Sequence, residues 1–173
     1  MIQEIERKFV AKKEETMQAL MGIPHTSYEI WQMYITDNVR IRIKTHSDGS
    51  ECAYFTSKKV TDLMIDRQES EVEINIADAI AMKELLFETE NYKGVIRKTR
   101  HVFPNDDNTK WEIDFFHGDN EGLIIAEIEL PSRDYKLNLN LIPFLGQEVS
   151  NNIKYYNCEL AKKPFREWER YSD

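Results

Sequence analysis

The 173-residue sequence has few of the residues that break or cross-link a chain: six glycines, five prolines and two cysteines. With no repeat or linker either, we expect one domain over residues 1–173. Cys52 and Cys158 are isolated and lack metal-ligand spacing, which favours free thiols in a reduced, cytoplasmic setting. No apolar run approaches the roughly 20 residues of a membrane-spanning helix, and the acidic N-terminus is unlike a signal peptide.

Charge, by contrast, is abundant. The 31 acidic and 23 basic residues give a formal net charge of −8. A generic nucleic-acid or anionic-membrane binder needs a net basic surface, so neither nucleic acid nor membrane is an expected partner. The net value does not exclude a concentrated basic pocket, and the position of the charges therefore matters more than their sum.

Most of the chain alternates apolar and polar residues with a period of two, which is typical of β-strands with one buried face. Eight strands are predicted, at about 2–10, 28–36, 39–45, 51–59, 67–76, 95–103, 110–117 and 123–130. Helices are predicted at 14–21, at 78–90 and over the tail 158–168, which Pro164 interrupts. In the second helix Asp78 is the expected N-cap, and Ala81, Leu85 and Leu86 share an apolar face. The predicted fold class is α+β, an eight-stranded antiparallel β-barrel with flanking helices and a C-terminal helix.

Like charges repeat at every second residue on single strands, so that they share a face. The acidic pairs are Glu4/Glu6, Glu69/Glu71, Glu112/Asp114 and Glu127/Glu129, and the basic pairs are Arg40/Arg42 and Lys98/Arg100. For one strand alone, a solvated charged face is the simplest interpretation. Neighbouring like charges repel, however, unless opposite charge lies among them. In a closed barrel the acidic and basic strands would face each other across a lumen, and the set would then be a site rather than a surface.

Such a lumen suits phosphoryl transfer. Carboxylate oxygens are ligands for Mg²⁺ or Mn²⁺, and arginine and lysine donate hydrogen bonds to a triphosphate. The transferring group needs positioning and charge neutralisation more than covalent help. No glycine-rich phosphate loop, Ser/His/Asp series, HExxH or CxxC motif competes with this interpretation.

These same residues resemble the CYTH superfamily, also called triphosphate tunnel metalloenzymes. Glu4, Glu6 and Lys8 match its ExExK signature. The further similar segments follow in the family's order, at 40–42, 54–58, 67–71, 97–100, 112–114, 127–129, 146–150 and 156–168. The resemblance implies a tunnel of eight antiparallel strands that binds a triphosphate with a divalent metal and hydrolyses or cyclises it. The short chain and its LAKKPF tail are most similar to the bacterial inorganic triphosphatase branch.

The resemblance also implies roles for individual residues. The catalytic set would be Glu4, Glu6, Lys8, Lys58 and Tyr34. The substrate-binding set would be Lys8, Arg40, Arg42, Lys58, Arg67, Lys98, Arg100 and Lys154. The metal-binding set would be Glu4, Glu6, Glu69, Glu71, Asp114, Glu127 and Glu129. Tyr34 would pair with Lys58, although simple packing explains this tyrosine equally well. Met33 and the segment 151–154 depart from the family pattern.

The function expected from the resemblance is Mg²⁺- or Mn²⁺-dependent hydrolysis of a triphosphate, with inorganic triphosphate, converted to pyrophosphate and phosphate, as the favoured substrate. One alternative within the superfamily is a class IV adenylate cyclase or a thiamine or nucleoside triphosphatase, which would need an additional pocket for the organic group. Another, outside the enzymes, is a polyphosphate- or nucleotide-binding module, which would not need the second set of carboxylates. The expected partner is a triphosphate-containing small molecule, and the exposed rim of a short barrel leaves a homodimer open.

Overall fold

The structure is a computed structural model that describes residues 2–60, 66–90, 92–105, 107–139 and 142–168; the side chains of residues 2–4, 60, 66 and 67 are not described. The strands within these ranges are β1 (Ile2–Ala11), β2 (Thr26–Thr36), β3 (Val39–His46), β4 (Glu51–Val60), β5 (Asp66–Ile74), β6 (Val95–Pro104), β7 (Lys110–Phe116), β8 (Ile124–Glu129) and β9 (Leu145–Glu148). The α-helices are α1 (Lys13–Gly22), α2 (Ile76–Glu88) and α3 (Asn157–Lys162). None of the described helices has the length and apolar character that a membrane crossing requires.

Eight of these strands form a barrel. Hydrogen-bonded neighbours follow the order β5–β4–β3–β2–β6–β7–β8–β1, and β5 also pairs with β1. That last pairing places Ile2 opposite Glu69 and Ile5 opposite Asp66, which joins the two ends of the series. Because these pairs are antiparallel, the predicted eight-stranded antiparallel barrel is confirmed, with strand edges within two residues of those expected.

The short strand β9 was not predicted. It pairs with the C-terminal end of β1, where Phe9 lies opposite Glu148 and Ala11 opposite Leu145. Arg7, which points away from the lumen, forms an ion pair with Glu148 at 2.7 Å. β9 therefore widens the sheet outside the barrel and does not contribute to its wall.

The alternation along each strand separates an outer face, which packs under helices, from a face that points into the lumen. On one side of the barrel, the outer residues Met33, Ile41, Ile43 and Ala53 form a buried cluster with Ala79 of α2. On the other side, a second buried cluster includes Ala19 of α1. The outer face is thus a conventional apolar core, which leaves the lumen to the charged residues.

Apolar residues fill one end of the lumen. Ile96, Phe116 and Ile125 each lie two residues from a lumen-facing charged residue and pack together with Leu160 of α3 and with Trp168. The C-terminal segment therefore covers this end of the barrel. The predicted interruption of the tail is confirmed, since α3 ends at Lys162 before Pro164 and a short 3-10 turn, Phe165–Glu167, follows.

Helix α2 differs from the prediction at its start and on its buried face. Asn75, not Asp78, is the N-cap, and its side chain accepts hydrogen bonds from the backbone N–H groups of Ala77 and Asp78 at 2.9 and 3.4 Å. The predicted apolar face is confirmed only in part: Leu86 packs against the core, whereas Ala81 is exposed and Leu85 is 66% exposed. Ala79, which was not assigned to this face, is the buried residue of the helix.

Candidate active site

The charged side chains converge on a cavity of about 210 Å³ inside the barrel, which we call the central cavity. Its lining side chains are Glu6, Lys8, Tyr28, Arg40, Arg42, Lys44, Lys58, Glu69, Glu71, Arg100, Lys110, Glu112, Glu127, Glu129 and, from α3, Asn157. Nearly all of them are ionisable. The alternating charges of the sequence therefore line an interior wall and are not a solvated outer face.

The order of the strands separates the two signs of charge. The strands with acidic pairs, β7, β8, β1 and β5, are consecutive around the barrel, and we call them the acidic half. The basic half consists of β4, β3, β2 and β6, which carry Lys58, Arg40, Arg42 and Arg100. β3 and β8 are four strands apart in either direction around the ring, so their lumen-facing side chains lie on opposite walls.

At the boundary between β6 and β7, opposite charges pair. Arg100 lies directly opposite Asp114 and donates hydrogen bonds to three carboxylates, those of Glu112, Asp114 and Glu127. Burial opposes the charged form of Arg100, but these carboxylates outweigh it and raise the pKa of Arg100 well above its ordinary value. This arginine is therefore fully engaged by the protein itself.

Two arginines in the middle of the basic half are not engaged in this way. The Nε and Nη2 atoms of Arg40 and the Nε atom of Arg42 are buried and have no hydrogen-bond partner among the described residues. The ion pair between Arg42 and Glu71 is long, at 3.7 Å. Burial and the neighbouring cations Arg40 and Arg100 lower the pKa of Arg42, although a guanidinium stays protonated in proteins. Buried donors without acceptors are destabilising, so this wall is suited to an anion.

The acidic half contains carboxylates that face each other directly. Glu6 lies opposite Glu129 on neighbouring strands, and Glu112 lies opposite Glu127. Like charges in such positions repel. Glu112 and Glu127 both receive hydrogen bonds from Arg100. Burial favours the neutral form of Glu127, but Lys8 and Arg100 reverse this and hold its pKa well below the ordinary value.

The pair Glu6 and Glu129 is less well compensated. Lys8 Nζ lies 3.2 Å from Glu6, whereas no ion pair reaches Glu129 within the described part of the chain. Burial raises the pKa of Glu129, Lys110 opposes the rise, and the nearby carboxylates of Glu112 and Glu6 add to it. The electrostatic environment at this pair therefore favours an additional cation.

The chain is similar over nearly its whole length to known proteins. It is 32% identical over 166 residues to an inorganic triphosphatase of Acetivibrio thermocellus, an alignment that covers 96% of this chain and 97% of that protein. The chain belongs to the inorganic triphosphatase branch of the CYTH superfamily. An inorganic triphosphatase of Nitrosomonas europaea is 29% identical over 161 residues, which cover 91% of this chain and 96% of that protein. No protein-family model matches the sequence.

Solved structures share the tunnel fold of this CYTH chain. The crystal structure of an inorganic triphosphatase matches it with a TM-score of 0.55 and 24% identity, over 93% of this chain and 95% of the other. A putative adenylate cyclase from Bacillus halodurans also matches with a TM-score of 0.55, at 13% identity, over 90% of this chain and 99% of the other. At these identities the likeness concerns the fold alone.

A triphosphate tunnel metalloenzyme implies a divalent metal ion, and the acidic half supplies chemically suitable donors. Hard divalent cations prefer carboxylate oxygens, and the carboxylates of Glu6 and Glu129 lie directly opposite each other in this half. Among the described side chains, which do not include Glu4, no three potential ligands converge on one point. Instead Lys8 lies 3.2 Å from Glu6 and 2.7 Å from Glu127. The donor set fits a divalent ion, and Lys8 is the residue that competes with it for the carboxylates.

Most of the site residues that the sequence predicts, and whose side chains are described, meet at the central cavity. They are Glu6, Lys8, Arg40, Arg42, Lys58, Glu69, Glu71, Arg100, Glu127 and Glu129. Glu4 and Arg67 lie opposite each other on β1 and β5, but their side chains are outside the described part of the structure. The remaining four predicted residues, Tyr34, Lys98, Asp114 and Lys154, are not in its wall.

Lys98 and Asp114 lie behind this wall. Both are almost fully buried, and the Lys98 ammonium donates to Asp114 Oδ2 at 2.5 Å. Burial and the charge of Arg100 lower the pKa of Lys98 to about 8. Because Asp114 also accepts hydrogen bonds from Arg100, the structure uses this pair to hold Arg100 in place. Lys154 is directed elsewhere, with its Nζ 3.8 Å from the centre of the Trp168 ring.

Tyr34 is held beside the basic half by its own contacts. Its hydroxyl accepts a hydrogen bond from Gln32 Nε2 at 3.3 Å, and Tyr34 lies directly opposite Arg40 of β3. Its backbone carbonyl accepts one from the Tyr92 hydroxyl at 2.8 Å. Tyr34 and Lys58 also line a common second cavity. These contacts make Tyr34 a positioning residue for Arg40, and its pairing with Lys58 stays a prediction.

Four residues that line the central cavity were not among the predicted site residues: Tyr28, Lys44, Lys110 and Asn157. A fifth, Glu112, was predicted to face the lumen as part of an acidic pair but was given no role as a ligand. Lys44 continues the alternation of Arg40 and Arg42, and Lys110 precedes Glu112 by two residues, so the period-two pattern contained a signal for them. No such signal exists for Asn157, because tertiary packing of α3 brings it to the cavity.

Proposed function

We propose that the protein hydrolyses inorganic triphosphate to pyrophosphate and phosphate in the central cavity, with Mg²⁺ or Mn²⁺ as the metal ion. The observation that carries this proposal is a pair of buried arginines, Arg40 and Arg42, on the wall opposite Glu129. Both have N–H groups without a hydrogen-bond partner in the described part of the chain. The two inorganic triphosphatases that are similar over more than 90% of this chain support the choice of reaction and substrate.

In this proposal the basic half binds the phosphate oxygens. Arg40 and Arg42 supply N–H donors that have no partner among the described residues, and a guanidinium fork can bind two phosphate oxygens at once. Tyr34, directly opposite Arg40 on the neighbouring strand, orients it, and Lys58 lies nearby on β4. Because the cavity is enclosed by low-dielectric protein, these contacts stabilise the transferring phosphoryl group more strongly than they would in water.

The acidic half binds the metal ion through Glu6 and Glu129, with Glu4 as a further proposed ligand. The ion supplies charge neutralisation for the phosphate oxygens and lowers the pKa of a bound water. Arg100 keeps Glu127 and Glu112 ionised in the same half. Lys8, between Glu6 and Glu127, is placed to exchange a carboxylate contact for a phosphate contact when substrate and metal bind.

The test is phosphate release from inorganic triphosphate, pyrophosphate, ATP and thiamine triphosphate, each with Mg²⁺, with Mn²⁺ and with a chelator. We expect the highest kcat/KM for inorganic triphosphate, equal amounts of pyrophosphate and phosphate as products, and no release with the chelator. Failure to turn over any triphosphate with either metal would refute the proposal. Cyclic AMP from ATP would show cyclisation instead, and binding of triphosphate without turnover would indicate a binding module.

A further inference from the structure

Gln32 of β2 is fully buried, yet its side-chain amide is poorly satisfied. Its exposed fraction is 0%. The Nε2 atom donates one long hydrogen bond, of 3.3 Å, to the Tyr34 hydroxyl, and the Oε1 atom is buried with no hydrogen-bond partner among the described residues. A buried acceptor that lacks a donor destabilises the folded protein. Stability of the fold alone therefore does not account for an amide at this position.

The register of the sheet places Gln32 beside one of the two central arginines. Gln32 lies directly opposite Arg42 of β3, just as Tyr34 lies directly opposite Arg40. Residues in such positions share a face of the sheet, and their Cβ atoms are about 4.5–5.5 Å apart. On its other side Gln32 lies opposite Ile96 of β6, whose side chain offers no hydrogen bond. Arg42 lines the central cavity and Gln32 does not, so the amide belongs to the layer behind the arginine.

The two facing residues carry complementary unpaired atoms. Arg42 Nε is a buried donor and Gln32 Oε1 is a buried acceptor, and neither has a partner in the part of the chain that the structure describes. Both side chains are long, so rotation about their own bonds spans the separation of directly opposite residues. One hydrogen bond between these atoms would therefore satisfy both groups at once.

A neutral amide can orient Arg42 without cancelling its charge. Arg100 shows the contrasting arrangement, because carboxylates accept its hydrogen bonds and neutralise it. A guanidinium has five N–H donors. If Gln32 holds the Nε–H of Arg42, the four donors on the two Nη atoms remain available for phosphate oxygens. In the structure Arg42 Nη1 lies 3.7 Å from Glu71, a long ion pair that leaves the guanidinium free to turn towards a bound anion.

We infer that Gln32 is a positioning residue for Arg42: in the substrate complex its Oε1 accepts a hydrogen bond from Arg42 Nε, which directs the two Nη atoms towards the triphosphate. The inference rests on the proposed function, since it needs the triphosphate to occupy the central cavity. Gln32 itself does not touch the substrate. Loss of its amide should therefore weaken triphosphate binding through Arg42, and should have no effect on binding once Arg42 has been replaced.

The test is a double-mutant cycle in steady-state phosphate release from inorganic triphosphate. Gln32→Met removes the amide at nearly constant volume. We expect it to raise KM by roughly tenfold and to lower kcat by less than about threefold. Its Tm should fall by no more than about 3 °C, because an unsatisfied acceptor is lost together with one long hydrogen bond. In an Arg42→Met background, Gln32→Met should change KM by less than about twofold. Gln18→Met, the same replacement at an exposed glutamine of α1, is the control and should leave KM unchanged.

Three results would overturn the inference: an unchanged KM in a folded Gln32→Met, an equally large rise of KM when Arg42 is already replaced, or a rise of KM that disappears only in a Tyr34→Phe background. The last result would mean that the amide acts through the Tyr34 hydroxyl instead. If Gln32→Met does not fold, Gln32→Leu takes its place in the same cycle.

Binding measurements separate a failure of this inference from a failure of the proposed function. Calorimetry with a chelator present, a condition in which no hydrolysis is expected, measures the Kd of inorganic triphosphate for the same set of proteins. We expect the Kd values to show the same coupling between Gln32 and Arg42 as the KM values. Absence of turnover in the unaltered protein would refute the proposed hydrolysis, whereas additive effects on Kd would refute the role of Gln32.

Discussion

Arg42 and Arg100 share the lumen but differ in their partners, so the same replacement should affect them in opposite ways. Arg100 donates to three carboxylates. Among the residues that the structure describes, Arg42 has no partner for its buried Nε and forms one long ion pair, at 3.7 Å to Glu71; burial and the neighbouring cations lower its pKa. We predict that Arg42→Met retains stability and loses substrate affinity, whereas Arg100→Met loses stability.

The magnitudes follow from these contacts. Removal of one partner from a buried ion pair costs about 3–5 kcal/mol, and a chain of this size changes its Tm by about 2–4 °C per kcal/mol. Arg100→Met should therefore lower Tm by roughly 6–20 °C. Arg42→Met removes the repulsion of this arginine by Arg40 and Arg100. Glu71 keeps the hydrogen bond that it accepts from the Thr56 hydroxyl at 2.8 Å. The Tm of Arg42→Met should therefore change by less than about 3 °C or rise.

For substrate affinity we expect Arg42 to matter more than Arg100, which is the reverse of their order for stability. A hydrogen bond to a charged group contributes about 1.5–3 kcal/mol, so Arg42→Met should raise KM for inorganic triphosphate by roughly 10- to 150-fold. Thermal unfolding followed by circular dichroism, without metal or phosphate, gives Tm, and steady-state phosphate release gives KM. An equal fall of Tm in both variants, or an unchanged KM in a folded Arg42→Met, would refute the assignment of Arg42 as an unpaired anion ligand.

Three further predictions concern the metal side and the positioning of Tyr34. Glu129→Gln removes a negative charge that lies directly opposite Glu6. Tm measured without metal should therefore rise, while kcat should fall by roughly 100-fold or more. An unchanged kcat would argue against this carboxylate as a metal ligand. A chelator should abolish phosphate release, and added Mg²⁺ or Mn²⁺ should restore it, as measured by a colorimetric phosphate assay. Turnover that survives chelation would contradict the proposed dependence on a divalent metal. Gly94→Ala puts a Cβ 2.6 Å from the Tyr34 carbonyl oxygen, and the displacement should lower kcat/KM by roughly tenfold. Gly22→Ala, with open space around it, is the control, and equal kcat/KM in the two variants would count against the positioning role.

The faces of the strands were predictable because the period of a strand is fixed at two residues. Once Arg40 and Arg42 were assigned to the lumen, the residues two positions away on the same strand were assigned to it as well. The period of two residues does not indicate how far along the barrel axis each side chain lies. Lys98 and Asp114 share faces with Arg100 and Glu112, yet they lie one step nearer to the apolar end of the lumen, and they are therefore buried behind the cavity wall.

The elements that sequence patterns missed depend on tertiary contacts. Strand β9 has four residues, too few for alternation to be recognised, and Gly146 in it approaches Val10 so closely that a Cβ would lie 2.8 Å from the Val10 carbonyl oxygen. The start of α2 was placed too late because Ile76 continues the alternation of β5. In the structure the Asn75 side chain caps the helix at that point instead.

The separation of charge around the barrel explains which residues stabilise it and which are left for a ligand. At the two boundaries, β6–β7 and β4–β5, cross-strand neighbours such as Arg100 and Asp114 have opposite charge and satisfy each other. On β3 the residues directly opposite Arg42 are Gln32 and Tyr54, neither of them acidic, and at β1–β8 Glu6 meets Glu129. The centres of the two halves therefore favour ligands of opposite sign. An anion bound on β3 and a cation bound at β1–β8 would lie on opposite walls of the lumen, so each would lower the electrostatic energy of the other and their binding would be coupled reciprocally.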